Sequence, residues 1–210
     1  MDNSTALLPG LIQIIAKTIE TNAVELTALD QAIGDGDHVT NLQRGIQALS
    51  VQSGELATLE WQPALQKMGM TIMSSIGGAS GSLYGTLFVA LSKNLQAQVP
   101  TLAIFADAFA KAVDAVKQRG KADKGEKTML DVLIPVAEHL HQKATASTSL
   151  PEIAADMKQI AMTGAESTRD MVATKGRASF LGERSKGHID AGAKSSQLMI
   201  CALVDALSKP

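Results

Sequence analysis

From residue 101 to 119 the apolar residues Leu102, Phe105, Phe109, Val113 and Val116 recur every third or fourth position, which sets them along one face of an α-helix and makes that stripe core material. The same spacing, in stretches rich in Ala, Leu, Met, Gln and Lys, predicts helices over 5–29, 38–53, 60–75, 81–97, 101–119, 128–145, 151–174 and 192–208. Nowhere do Val, Ile, Thr and aromatic residues alternate with polar ones between turn dipeptides, so strands are not expected. The fold class that follows is all-α, with eight helices in an antiparallel up-and-down bundle. Pro135, inside the sixth helix, predicts a kink or a local break.

The 210 residues suit one domain spanning 1–210. No long Pro-, Gly- or Ser-rich linker, no 20- to 50-residue repeat and no like-charge tail divides them. A net charge of -2 and an aromatic content of 3% argue against nucleic acid as a partner. The single Cys201, in an apolar run, reads as a small buried hydrophobe that cannot form an internal disulfide. No uncharged run approaches the roughly 20 residues of a membrane span, and residues 1–15 lack a basic start before a long apolar stretch. No membrane association and a cytoplasmic location are expected.

Asp30, Asp35 and Asp37 crowd into eight residues, with Gly34 and Gly36 between them. Such carboxylates repel unless a cation lies among them, and oxygen-only ligands suit Mg²⁺ or Ca²⁺ rather than zinc. The glycines let the backbone turn sharply enough for the three to converge. The plainer reading is a polar interhelical loop in which Asp37 caps the next helix and the other two acids are solvated. What favours a site is where the glycines fall. They gather in four connections, near residues 35, 79, 122 and 184, which follow the first, third, fifth and seventh helices. In an up-and-down bundle those four loops emerge at the same end.

The second of them, Ser74 to Ser82, contains Gly77-Gly78-Ala79-Ser80-Gly81 and runs into an apolar helix beginning near Leu83. Small residues expose backbone N–H groups, and the helix N-terminus adds positive dipole, a combination suited to phosphate, although the Lys of a P-loop is missing. Beside a Mg²⁺ site, which shares its shell with substrate phosphates, phosphate binding is a better account than a simple packing contact. The fourth, Lys175 to Gly192, is long enough to be a lid. Its Arg177 and Arg184 could neutralise phosphate oxygens, while Phe180 or Leu181 could cover an apolar ring. The third, Arg119 to Asp131, offers Thr128 and Met129 as contacts within a Lys/Glu mixture otherwise typical of solvated segments. His38, beside three aspartates, suits a proton carrier or a hydrogen-bonded structural imidazole. His139 and His141 read as surface helix residues.

Taken together, Leu29-Asp30-(x)₂-Ile33-Gly34-Asp35-Gly36-Asp37-His38, Asn41, Arg44-Gly45, Gly69-Met70-Thr71, Gly77-Gly78-Ala79-Ser80-Gly81, Arg119-Gly120-Lys121-Ala122, Gly125-(x)₂-Thr128-Met129-(x)-Asp131 and Lys175-Gly176-Arg177-Ala178-Ser179-(x)-Leu181-Gly182-Glu183-Arg184-Ser185-(x)-Gly187-His188-(x)-Asp190 resemble the nucleotide-binding subunit of dihydroxyacetone kinase. The resemblance covers residues 29 to 192. It implies an eight-helix barrel whose loops at one end hold ADP or ATP through two Mg²⁺ ions, with Asp30, Asp35 and Asp37 as metal ligands. His38, Asn41, Ala79, Ser80, Gly120, Thr128, Met129, Arg177, Asp190, Ala191 and Gly192 align with its nucleotide contacts. It also implies two partners, a subunit that holds dihydroxyacetone covalently on a histidine and, in the phosphotransferase-system form, a phosphohistidine protein that rephosphorylates the bound ADP. A homodimer is a further assembly open to such a chain.

Two positions depart from the family pattern. Val39 stands where glycine usually follows the loop histidine, which puts a phosphate contact at residue 39 in question, and Ala191 stands where the lid commonly has proline. Three classes of function therefore stand side by side: a kinase subunit using phosphoenolpyruvate-derived or free ATP, a nucleotide-binding regulatory paralogue, and a Ca²⁺- or lipid-binding helical module.

Overall fold

Capping and side-chain competition with the backbone decide where the helices stop. The computed structural model describes residues 5–95, 100–144, 146 and 149–208. In it a 3₁₀ turn at Thr5–Leu7 leads into α1 (Leu8–Thr21), α2 (Ala23–Ile33), α3 (His38–Leu56), α4 (Trp61–Ser75), α5 (Gly78–Asn94), α6 (Leu102–Gly120), α7 (Leu130–Ala144), α8 (Leu150–Ser167) and α9 (Ala191–Leu207), with further 3₁₀ segments at Thr168–Asp170 and Arg177–Ser185. Among the described residues there is no strand, so the chain is all-α.

The expected helices are found within three residues of their predicted starts, apart from the first, which is divided. At its break the Asn22 side chain donates to the Thr18 carbonyl at 2.8 Å and competes for the bond that would continue α1. That division replaces the expected count of eight helices by nine among the described residues. The seventh predicted helix stops at Ser167 rather than 174, because the hydroxyls of Ser167 and Thr168 bond the carbonyls of Gly164 and Ala165 at 2.7 Å each. The predicted ends at 96–97 and at 145 lie outside the described residues. Pro135 causes no break, and α7 runs through it.

Each helix from α3 onward packs on the next, and α9 returns to α1 and α2, which share one place in the ring. Of these pairs α4 and α5 lie closest, because glycine lets their backbones meet. A Cβ on Gly69 would stand 2.9 Å from the Gly85 carbonyl oxygen, and one on Gly85 would stand 2.9 Å from that of Gly69. The main core runs up the middle, with Leu26, Leu42, Leu65, Met68, Leu91, Val113 and Leu133 all buried in it.

Three expectations about packing need correction. Only the lower part of the 101–119 stripe is core: Val113 and Val116 are buried, but Phe105 is 37% exposed and stacks on Phe109 at 6.0 Å. Cys201 is half-buried and accepts from Gln197 Nε2 at 3.5 Å. His139 is largely covered, its Nε2 3.3 Å from Asp156, whereas His141 is exposed as expected. No helix among the described residues is long and apolar enough to cross a membrane.

Candidate functional site

All four glycine-bearing connections meet at one pole. Side chains tie them together: His38 Nδ1 to Ser80 Oγ at 3.2 Å, Arg119 Nε to Ser82 Oγ at 2.6 Å, Thr174 Oγ1 to Glu126 at 2.9 Å, and Arg177 to Asp35.

The acidic loop is built around Asp30, in the last turns of α2. A Cβ on Gly34 would stand 2.8 Å from the Asp30 main-chain oxygen as well as against its carboxylate, so glycine eases the chain's fold back over Asp30. Gly36 adopts φ +77°, the left-handed turn that brings Asp37 round. One oxygen from each of Asp30, Asp35 and Asp37 then lies within 4.8 Å of the others. Asp30 Oδ2 accepts the His38 N–H at 3.0 Å, and the Arg177 guanidinium pairs with Asp35. Asp37 stands at the N-cap of α3 but makes no side-chain cap bond, so the capping role in the plainer reading is not what its carboxylate does. Three converging carboxylates, with one exposed arginine paired to Asp35, form an all-oxygen donor set that fits a hard divalent cation.

His38 is buried, and burial pushes its imidazole below the ordinary histidine range against the opposing pull of Asp30 and Asp37. Both ring nitrogens are occupied by hydroxyls, Nδ1 by Ser80 and Nε2 by Ser195 at 2.9 Å. Ser195 also meets Tyr84 Oη at 3.3 Å, and Tyr84 in turn meets Ser196 at 2.9 Å. This buried network joins the acidic loop, the glycine loop and α9, and it makes His38 a bridge between loops. Asn41 is buried one turn into α3, where its Oδ1 accepts from Arg44 at 3.3 Å.

The glycine loop is shorter than the sequence suggests, because α5 begins at Gly78 instead of near Leu83. Gly77 caps it without a side-chain bond, leaving the first-turn N–H groups around Ala79 and Ser80 without a capping side chain. In the third loop the buried Asp131 carboxylate gathers the chain, accepting from Gly125 N–H at 2.5 Å and Thr128 N–H at 2.8 Å. Thr128 is half-buried beside it, Gly120 closes α6, and Met129 is buried in the main core. Val39 is buried in that core as well, so its β-branched side chain does not stand over the loop.

The lid is ordered rather than structureless. A 3₁₀ segment, Arg177–Ser185, bends at Gly182 (φ 55°) and leaves Phe180 87% exposed. Ser185 Oγ accepts the Ala173 N–H at 2.9 Å, and Gly187 N–H donates to the Arg169 carbonyl at 2.8 Å, closing the base. Asp190 caps α9 by accepting from Ala193 N–H at 2.7 Å, and burial pushes its carboxyl up to about 6. Ala191 and Gly192 follow in the first turn of α9, with Gly192 against Met129. Ala191 thus occupies the first helical position, where proline loses no hydrogen bond and its φ is already right. Ala191→Pro should be neutral or raise stability by about 0.5 kcal/mol. A chemical melt losing more than about 1 kcal/mol would contradict that placement.

One residue here lies in a stretch whose Lys/Glu composition predicts only a solvated segment. Lys127 is 1% exposed, has φ +60°, and donates from Nζ to the carbonyls of Thr168 and His188 at 2.5 Å each. Burial lowers its pKa, opposed by Asp190 and Asp170. Tyr84 and Ser195 are likewise silent in the sequence, since helical spacing gives no sign that a core hydroxyl faces a loop histidine.

Residues 32–205 match the model of the DAK2 domain family. The chain is 43% identical over 181 residues to the ADP-binding subunit of the PEP-dependent dihydroxyacetone kinase of Escherichia coli, covering 86% of each chain. It is 40% identical over 190 residues to the corresponding subunit of PEP-dependent dihydroxyacetone kinase 1 of Listeria innocua, covering 89% of this chain and 88% of that one. Its fold matches the crystal structure of the dihydroxyacetone kinase from C. freundii in complex with AMP-PNP and Mg²⁺ with a TM-score of 0.74, at 24% identity. That match takes in 96% of this chain and 34% of the solved one, so the chain spans about a third of that protein.

Proposed function

The chain belongs to the DAK2 domain family, and from that premise we propose that it is the ADP/ATP- and Mg²⁺-binding subunit of a phosphoenolpyruvate-dependent dihydroxyacetone kinase. The observation that carries the reading is the convergence of Asp30, Asp35 and Asp37 within 4.8 Å at the pole where the glycine loop and the lid also end.

Asp30, Asp35 and Asp37 would hold the metal, with two ions as the number the family resemblance implies. When bound, Mg²⁺ supplies charge neutralisation on the phosphate oxygens. The chain's own part is to position the nucleotide. N–H groups at the start of α5, around Ala79 and Ser80, face phosphate with the positive end of the helix dipole. Arg177, within reach of Asp35, offsets the remaining phosphate charge. Gly120 and Thr128 from the third loop, with Asp190, Ala191 and Gly192 from the lid, flank the rest of the nucleotide, and Met129 supports them from the core. His38 bridges the acidic loop to the glycine loop and α9, and Asn41 lies one turn along α3 from it. No covalent nucleophile is called for, because phosphoryl transfer asks the protein chiefly for orientation and electrostatic stabilisation. The acceptor, dihydroxyacetone, would be presented by a partner subunit, and a phosphohistidine protein would restore ATP from the bound ADP.

Purifying the chain without added nucleotide, denaturing it and quantifying released ADP and ATP tests this reading. About one ADP per chain that survives gel filtration and leaves after EDTA treatment supports a metal-clamped resident nucleotide. A nucleotide-free preparation that takes up and releases ATP freely would favour an exchanging ATP-dependent kinase subunit, and one that binds neither nucleotide would refute the assignment.

A further inference from the structure

We propose that Lys127 is a latch that fastens the third loop to both ends of the lid and so sets how long the nucleotide stays bound. The inference rests on the reading that the lid closes over a nucleotide, and it concerns a residue outside the expected contact set.

Thr168 directly follows α8, ahead of the lid, and His188 lies in the lid just before α9 begins, so the two flank it. The Nζ of Lys127 donates to both main-chain carbonyls at 2.5 Å, and no carboxylate among the described residues lies within ion-pair distance of it. An ammonium at 1% exposure is costly to desolvate, so losing either acceptor would leave a buried charge short of partners. The backbone shows the same demand, since a lysine at φ +60° is held in a region that non-glycine residues seldom adopt. The next residues, Thr128 and Met129, belong to the loop gathered by Asp131. Opening the lid therefore pulls on the third loop, and both sides of the site release together. The Gly187-to-Arg169 bond closes the lid's base on itself but does not reach the third loop. Glu126, bonded to Thr174 and paired with Lys175, links the two loops at the surface, and Lys127 supplies their buried connection.

Lys127→Met keeps the length of the side chain and removes its donors. Its release of a fluorescent ADP analogue, with Mg²⁺ present, should be about 30-fold faster than wild type, the worth of one of its two hydrogen bonds from a charged donor. Well below the melting temperature, trypsin should cut the lid after Lys175, Arg177, Arg184 and Lys186 roughly tenfold faster, with helical circular dichroism unchanged. A purely structural role would lower the melting temperature and leave lid cleavage and ADP release alone. A folded variant with both rates within twofold of wild type overturns the proposal. Hydrogen exchange in the wild-type protein keeps it testable if the variant does not fold. Binding of ADP and Mg²⁺ should slow the amides of Gly125 and Thr128 in step with those of Ala173 and Gly187, and protection of one group without the other would overturn it. If wild type binds no ADP, the nucleotide reading fails, while the trypsin comparison still decides whether Lys127 fastens the lid.

Discussion

Asp35→Ala should empty the nucleotide site and leave the fold standing. Asp35 is exposed, and its recorded partner is the Arg177 guanidinium, itself 72% exposed. Surface pairs of this kind contribute about 0–1 kcal/mol. Removing one of three crowded carboxylates also relieves repulsion in the metal-free chain, so the two effects offset and the melting midpoint should hardly move. Binding behaves differently. Mg²⁺ depends on a small number of protein oxygens and on the phosphates it bridges, so loss of one carboxylate weakens ion and nucleotide together. A fall of at least about 100-fold in ADP affinity is expected, near 2.7 kcal/mol. Calorimetric titration of ADP with Mg²⁺ present, beside a thermal melt, separates the two quantities. Wild-type affinity in the variant would remove Asp35 from the metal site, and a collapsed melt would give it a structural role instead.

Gly81→Ala should do the opposite, damaging the fold first and the site through it. A Cβ at residue 81 would stand 2.1 Å from the Ile76 carbonyl oxygen and 2.9 Å from its carbon. Both atoms belong to the backbone where α4 hands over to α5, and neither can swing aside as a side chain could. The first turn of α5 would have to lift, carrying Ser80 away from His38. A cost of about 3 kcal/mol, the upper end of overpacking, is expected in a denaturant melt, with nucleotide retention lost as well. Gly77→Ala is the natural control, since the nearest atom to its Cβ is Asn41 Oδ1 at 3.5 Å and its backbone is already extended. Equal melts for the two variants would mean that the α4–α5 junction yields more readily than its geometry implies.

Much of this architecture can be read from residues 1 to 210 because helical periodicity is a local property. The stripe ending in Val113 and Val116, and the small residues around 77–81, declare themselves within a few turns of chain. The gathering of four loops at one pole also follows from simple parity, as alternate connections of an up-and-down bundle share an end. What escapes the sequence is settled by competition or by distance. The break at Asn22 depends on its side-chain amide sharing the Thr18 carbonyl with its own backbone N–H, and the length of α8 depends on two hydroxyls bonding carbonyls near its end. The lid's 3₁₀ segment is too short to print a period. Lys127 lies in a stretch with the composition of a solvated turn, and its acceptors are 41 and 61 residues away. His38 finds its hydroxyls 42 and 157 residues away, pairings that no spacing rule contains.

The Thr5 hydroxyl donates to the Leu59 carbonyl at 2.6 Å, which places the first described turn beside the α3–α4 connection. At the other extreme α9 starts beside the lid and runs 17 residues away from it, about 25 Å of helix. Both ends of the described chain consequently emerge opposite the four loops. An affinity tag, a fluorescent reporter or a whole additional domain could be joined at either end, and the pole that carries the four loops would stay open.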